Sequence, residues 1–255
     1  MIPRADVVVI IPARYESSRF PGKPLALIGH KPLIQHVYER IAEMRGVKRA
    51  IVATDDERIL TAVKGFGGEA MMSEQRLRTG SDRVAQIARG IPADVYINLQ
   101  GDEIPLTSEF LEDLIRPFRH SDAEVGTLKR KMTDARELTD PNVVKVVTDD
   151  QGYALYFSRS PIPYVRDVPM TDSPPHPGLH WKHLGIYAYT LAALLHFTRL
   201  PPGLLETSEQ LEQLRLLEAG IRIRVWETKH GSLRVDTPED LERAEQILSR
   251  EQARL

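Results

Sequence analysis

Arg14, Ser17, Ser18, Arg19, Gly22 and Lys23 crowd one short stretch, Ile11-Pro12-Ala13-Arg14-Tyr15-Glu16-Ser17-Ser18-Arg19-Phe20-Pro21-Gly22-Lys23-Pro24. Cations mixed with hydroxyl residues and glycine let side-chain charge and backbone N–H groups converge on phosphate oxygens. The spacing is neither that of a Walker loop nor that of the GxGxxG fingerprint. By residue type alone, a phosphate cradle and a solvated basic loop are both open. The position directly after an apolar run sets the two readings level.

Gln100-Gly101-Asp102-Glu103 closes a second apolar run, residues 95–99. There Asp102 would stand at the carboxyl edge of a sheet, facing the basic loop. A carboxylate oxygen is the hard ligand magnesium takes, with water and nucleotide phosphates completing the octahedron. A turn or helix-capping acid is the other reading. Asp236 opens Asp236-Thr237-Pro238-Glu239, a good helix start, so capping is its first reading. His176, His180 and His183 are loosely spaced in a proline-rich stretch without cysteine, a poor match to a tetrahedral zinc site.

The elements that must position these residues alternate. Residues 7–11 form an apolar run ended by Pro12, the pattern of a buried strand. Leu33, Ile34, Val37 and Ile41 share one helix face. Residues 50–53, 69–72 and 95–99 read as further strands, Asp55-Asp56 as a helix cap, and 82–87 as the start of a helix. Phe110, Leu111, Leu114, Ile115 and Phe118 mark another helix face. This alternation predicts parallel βαβ units with helices on both sheet faces, and ligands outside the carboxyl ends of the strands.

The second half is less regular. Residues 143–147 and 153–157, split by Asp149-Asp150-Gln151-Gly152, predict a hairpin. Residues 160–178 read as an irregular proline-rich loop, 208–218 as a helix, 221–226 as a strand, and the segment after Asp236 as a terminal helix. The expected organisation is one domain over residues 1–255 with an inserted region at about 125–220.

Composition narrows the function. The chain has 255 residues, 42% hydrophobic and 27% charged, enough for a sizeable core. A net charge of −2 leaves no basic stripe for nucleic acid or a membrane surface, so an anionic ligand needs a local cluster of cations. The absence of cysteine removes thiol chemistry, disulfides and cysteine–zinc sites. There is no apolar run of membrane-spanning length and no signal-peptide pattern at the N-terminus. A cytoplasmic protein is expected.

With these residues in view, the chain resembles the 3-deoxy-manno-octulosonate (Kdo) cytidylyltransferases, whose N-terminal signature reads close to IPARxxSxRxPGKPL. The resemblance runs through Val52-Ala53-Thr54-Asp55, Thr79-Gly80-Ser81-Asp82-Arg83, Asn98-Leu99-Gln100-Gly101-Asp102-Glu103 and Tyr153-Ala154-Leu155-Tyr156-Phe157-Ser158-Arg159. It continues in His183-Leu184-Gly185-Ile186-Tyr187, Leu211-Glu212-Gln213-Leu214-Arg215 and Val235-Asp236-Thr237-Pro238-Glu239-Asp240-Leu241. It implies an α/β, Rossmann-like nucleotidyltransferase fold with a mostly parallel central sheet and an inserted sugar-binding and dimerisation region. The implied reaction joins CMP from CTP to a Kdo-type sugar, for lipopolysaccharide synthesis, in a homodimer.

The resemblance also implies roles. Arg14 and Lys23 grip the phosphates of CTP, assisted by Arg19, and Asp102 and Asp236 hold Mg2+. Thr79, Gly80, Ser81 and Arg83 fall near the cytidine, and Gln100 touches base or sugar. Arg159, His183, Tyr187, Glu212 and Gln213 fall in the blocks that line the sugar site. By residue type alone, His183 and Tyr187 could equally be core, and Glu212 and Gln213 a solvated helix face. Two departures stand out. Arg76-Leu77 replaces an acid–histidine pair found in many members, and Ile104 separates Glu103 from Pro105 where proline usually follows the acid directly. A modified octulosonate such as the 8-amino sugar, another acid sugar such as a sialic acid, and a non-catalytic binding protein are the rival readings.

Overall fold

In the computed structural model, which describes residues 6–16, 20–105, 107–166 and 178–252, strand β1 (Val7–Ala13) is buried along its whole length. That is the environment of a strand covered on both faces, and it accounts for the unbroken apolar run. A small ribbon, β2 (Leu27–Ile28) and β3 (Lys31–Pro32), leads into α1 (Leu33–Ala42), which buries Leu33, Ile34, Val37 and Ile41. There follow β4 (Arg49–Thr54), α2 (Glu57–Gly65), β5 (Ala70–Met72), α3 (Gly80–Ala88), β6 (Val95–Leu99), β7 (Glu103–Pro105) and α4 (Glu109–Arg119).

Strands β6, β1, β4 and β5 are neighbours in that order and all parallel. The α/β fold with a parallel sheet is thus as the alternation predicted. Asp56 caps α2 by accepting the N–H of Arg58, and Thr79 and Asp82 form a reciprocal capping box on α3.

The chain separates into two compact units: residues up to Glu112 with those from Gly231 onward, and Asp113–His230. The second unit holds β8 (Val125–Lys131), α5 (Ala135–Thr139), β9 (Lys145–Thr148), β10 (Ala154–Ser158), β11 (Trp181–Tyr189), α6 (Leu191–Phe197), α7 (Leu204–Glu209), α8 (Leu214–Glu218) and β12 (Arg224–Glu227). β9 and β10 form the expected antiparallel pair. Their turn is closed by Gly152 at φ +79° and by the Asp149 carboxylate, which accepts the Tyr153 N–H at 2.8 Å.

Sequence reading misplaced other parts of this unit. β8 and β11 pair antiparallel over most of their length, yet neither was predicted. Residues 208–218 are not one helix. α7 stops where Gln210 turns left-handed at φ +53°, and α8 starts afresh at Leu214. This break lets Leu211 and Gln213 turn inward and brings Arg215 onto the Glu206 carboxylate. The strand predicted at 221–226 is β12, shifted toward its C-terminal end.

The chain returns to the first unit through β13 (Ser232–Arg234) and ends in α9 (Pro238–Gln252). β13 pairs antiparallel with β7. Among the described residues no helix is long and apolar enough to cross a membrane.

Candidate active site

The basic loop leaves β1 at Ala13 and folds back on itself. The N–H of Gly22 donates to the Tyr15 carbonyl at 2.8 Å, and Gly22 takes φ +74°. Pro24 then lies within a short 3₁₀ turn, Lys23–Leu25, that fixes where the Lys23 backbone sits. From there the Lys23 ammonium reaches 2.5 Å from Asp102 Oδ2 and 3.3 Å from Asp236 Oδ1. Arg234 Nε pairs with the other oxygen of Asp236 at 2.9 Å.

Asp102 sits in the turn that follows β6. This turn approaches β1 so closely that a Cβ on Gly101 would lie 3.0 Å from the Pro12 carbonyl. Asp236 arrives from the far end of the chain. The β7–β13 pairing sets Arg234 opposite Glu103, and the Val235 N–H donates to the Asp102 carbonyl at 3.0 Å. The Glu103-Ile104-Pro105 departure is thus strand β7 itself, anchored by the Glu103 carboxylate, which accepts the Ser232 hydroxyl at 2.5 Å.

Asp236 stands one residue ahead of the cap of α9. Thr237 and Asp240 share that duty: the Thr237 N–H donates to Asp240 Oδ2 at 3.0 Å, and the Asp240 N–H donates to Thr237 Oγ1 at 3.2 Å. The Asp236 carboxylate meets Lys23 and Arg234.

A cavity of about 250 Å³ opens on these groups, lined by Arg14, Lys23, Gly80, Gln100, Asp102 and Asp236 among others. Gly80 stands at the first turn of α3, where the helix dipole favours negative charge. Gln100 donates to Asn98 Oδ1 at 3.2 Å, and Asn98 donates to Ser81 Oγ at 3.3 Å, so the floor is a polar chain. Arg14 donates to the Leu77 carbonyl at 3.0 Å, tying the basic loop to the segment that carries Arg76-Leu77.

Arg83 is fully buried, with its guanidinium donating to Asp55 at 2.7 Å and to the Ser73 hydroxyl. Burial pulls its pKa down, and Asp55 pulls back. Among the residues assigned to the nucleotide, Arg83 is therefore placed as a strut. Arg19 lies outside the described residues. Sequence reading missed Arg234 and Glu16, which also line the cavity. For Arg234 a signal was present, two positions ahead of Asp236 in a short alternating run.

Asp102 and Asp236 suit a hard divalent cation, because two carboxylates converge on one positive group. Among the described residues no three His, Cys, Asp or Glu converge. A metal here would need nucleotide phosphates and water as its other ligands.

The residues assigned to the sugar fall in the second unit. His183 Nε2 lies 2.9 Å from the Thr127 hydroxyl, which also lies 2.7 Å from the Ile186 carbonyl. A hydroxyl that donates to that carbonyl accepts from His183, which selects the tautomer with the proton on Nε2. The His183 ring packs 4.8 Å from Phe157 and 5.4 Å from the ring of Tyr187, which is buried. A register shift between Leu184 and Tyr187 in β11 sets this cluster, and Thr127 fills it.

Arg159 donates to the carbonyls of Glu209, Pro141 and Gln210 at 2.7, 2.8 and 3.4 Å, next to the turn leading to Glu212 and Gln213. Gln213 is buried and Glu212 partly so. Of the other two histidines of the loosely spaced trio, His180 lies 3.2 Å from the Pro163 carbonyl, and His176 lies outside the described residues.

A parallel sheet with a cationic loop and two acids at its carboxyl edge defines a nucleotidyltransferase-type α/β protein. The family model described as cytidylyltransferase matches residues 8–223. A 3-deoxy-manno-octulosonate cytidylyltransferase of Geobacter sulfurreducens is 49% identical over 243 residues, 93% of this chain and 97% of that protein. One from Trichlorobacter lovleyi is 50% identical over 246 residues, 94% of this chain and 98% of that protein. The chain belongs to the 3-deoxy-manno-octulosonate cytidylyltransferase family.

A solved CMP:2-keto-3-deoxy-manno-octonic acid synthetase complexed with CTP is 44% identical, with a TM-score of 0.88, covering 97% of this chain and 100% of that one. An inositol-1-phosphate CTP transferase from T. maritima, 14% identical with a TM-score of 0.66 and 96% of each chain covered, shares the fold.

Proposed function

We propose that this protein transfers CMP from CTP to the anomeric hydroxyl of 3-deoxy-manno-octulosonate, giving the CMP-sugar and pyrophosphate. The observation that carries the reading is the meeting of Lys23, Asp102 and Asp236 at the carboxyl edge of the parallel sheet. It stands in a chain about half identical to cytidylyltransferases of that name. The anomeric oxygen attacks the α-phosphorus, and the bond to the β-phosphate breaks in line. The hydroxyl proton goes to solvent. Arg14 and Lys23, with Arg19, take the triphosphate charge and orient it. Catalysis by positioning and electrostatics is enough for such a transfer.

Asp102 and Asp236 are the residues that would hold Mg2+. Bound there, the ion supplies charge neutralisation at the phosphates and acidifies the attacking hydroxyl. Gly80 and Gln100, which line the cavity, take the nucleoside, with Thr79, Ser81 and Arg83 holding the start of α3 in place behind them. Arg159, His183, Tyr187, Glu212 and Gln213 take the sugar acid. Leu155, Tyr164, Leu204 and Leu205 are exposed apolar residues of the second unit, and they support the reading of that unit as the interface of a homodimer. The expected setting is the cytoplasm, in lipopolysaccharide synthesis.

The test is pyrophosphate release with CTP and Mg2+, offering Kdo, 8-amino-Kdo or a sialic acid in turn. Release with Kdo supports the reading. Release with only the 8-amino sugar or the sialic acid moves the substrate, and none with any sugar overturns enzymatic transfer.

A further inference from the structure

Lys23 is positioned to do something besides gripping phosphate. Its ammonium lies between the two carboxylates, 2.5 Å from one and 3.3 Å from the other, and its side chain is 12% exposed. Arg234 pairs with the second oxygen of Asp236. A divalent ion held by the same two acids needs oxygen contacts near 2.1 Å. An ammonium within hydrogen-bond reach of both acids takes the place between them, and two positive groups that close repel strongly.

We propose that Lys23 is an internal counter-cation that keeps Asp102 and Asp236 together and competes with the metal for them. The triphosphate then draws Lys23 away and brings the metal in. Metal and nucleotide binding are coupled through this one side chain, which moves on a flexible stem from a backbone fixed by Pro24 and the Gly22–Tyr15 hydrogen bond. The device also protects the protein. Without Lys23 two carboxylates would face each other in a partly buried site, at a cost in like-charge repulsion. The inference rests on the reading of Asp102 and Asp236 as metal ligands.

The experiment is titration of nucleotide-free protein with Mn2+, following the free-ion signal by electron paramagnetic resonance. The proteins are wild type, Lys23→Met, Lys23→Arg and the double variant Lys23→Met/Asp102→Asn. Wild type should bind Mn2+ weakly, Lys23→Met at least ~10-fold more tightly, the scale of one lost unit charge at such range. Lys23→Arg, which keeps the charge, should stay with wild type. In Lys23→Met the gain should disappear when Asp102 is also changed. Lys23→Met binding Mn2+ no better than wild type overturns the proposal, and so does a gain equal in Lys23→Arg. Circular dichroism checks that each variant is folded, and Lys23→Gln replaces Lys23→Met should the latter not fold. The metal reading is tested apart from this: pyrophosphate release by wild type that is indifferent to Mg2+ sinks it, whatever Lys23 does.

Discussion

The backbone N–H of Val235 donates to the carbonyl oxygen of Asp102 across 3.0 Å, and this bond sets the two acids of the site side by side. Around it the β7–β13 pairing fixes register, and the Lys23 ammonium ties the two carboxylates together. The site is therefore held by backbone geometry first and by charge second.

Replacing Asp102 by Asn keeps the turn, because the Glu103 N–H still donates to the Gln100 carbonyl and the Val235 N–H to that of residue 102. The loss should fall on chemistry. Turnover is expected to drop by at least ~10²-fold, the order seen on removing one preorganised electrostatic group. Pyrophosphate release beside a circular dichroism spectrum checks it; a folded variant within a few fold of wild type contradicts the role.

Gly101 is needed for close approach. An alanine there would press its Cβ to 3.0 Å from the Pro12 carbonyl and 3.3 Å from Ile34 Cδ1. Gly101→Ala should cost about 1–3 kcal/mol, the usual range for overpacking, and should also reduce turnover by shifting Asp102. Urea unfolding curves and initial rates measure the two effects separately.

Arg83 should matter for stability before function. Its guanidinium is fully buried against Asp55 and Ser73. Arg83→Met strands one carboxylate and removes the cross-link, an expected loss of about 3 kcal/mol. The midpoint of urea unfolding should fall accordingly. A variant as stable as wild type but unable to bind CTP would instead make Arg83 a ligand residue.

Acid sensitivity should show at Asp134, the cap of α5. Hydrogen bonds from the Arg136 side chain, then its backbone N–H, hold the Asp134 carboxyl down to about 2 from 3.8. A depressed carboxyl contributes stability above its unfolded value and loses it as pH falls toward the folded one. The difference in urea midpoint between wild type and Asp134→Asn should thus be full at pH 6 and shrink between about pH 4 and pH 2. A difference that grows on acidification would contradict the assignment.

Thr237→Ala tests whether the α9 cap serves the site. The expected cost is about 1 kcal/mol, typical of a lost N-cap. Because the Asp236 and Thr237 N–H groups both donate to Asp240, turnover should fall more than stability alone accounts for, and Thr237→Ser should restore both.

Much of the first unit could be read directly, since a strand covered on both faces and a helix with one apolar stripe each leave a local pattern. Residues 95–99 became β6 and the stripe from Leu33 to Ile41 became α1. The second unit was harder. β8 runs into Leu128-Lys129-Arg130-Lys131, and β11 breaks its alternation at the register shift between Leu184 and Tyr187, so their pairing is decided by the partner strand rather than by a clean period of two. The break at Gln210 was hidden because a non-glycine residue at positive φ has no signature of its own.

For the site, the sequence alone determined the ingredients: a cation-rich loop after a buried strand, an acid after another, and an acid just ahead of a helix. It also placed the chain among the octulosonate cytidylyltransferases by the order of its motifs. Only the tertiary structure decided how cap and site divide, because Thr237 and Asp240 form the capping box while the Asp236 carboxylate meets Lys23 and Arg234. Only it brought Asp236 beside Asp102. That neighbourhood depends on hydrogen bonds between two short strands far apart in the chain, and no local pattern records a long-range register.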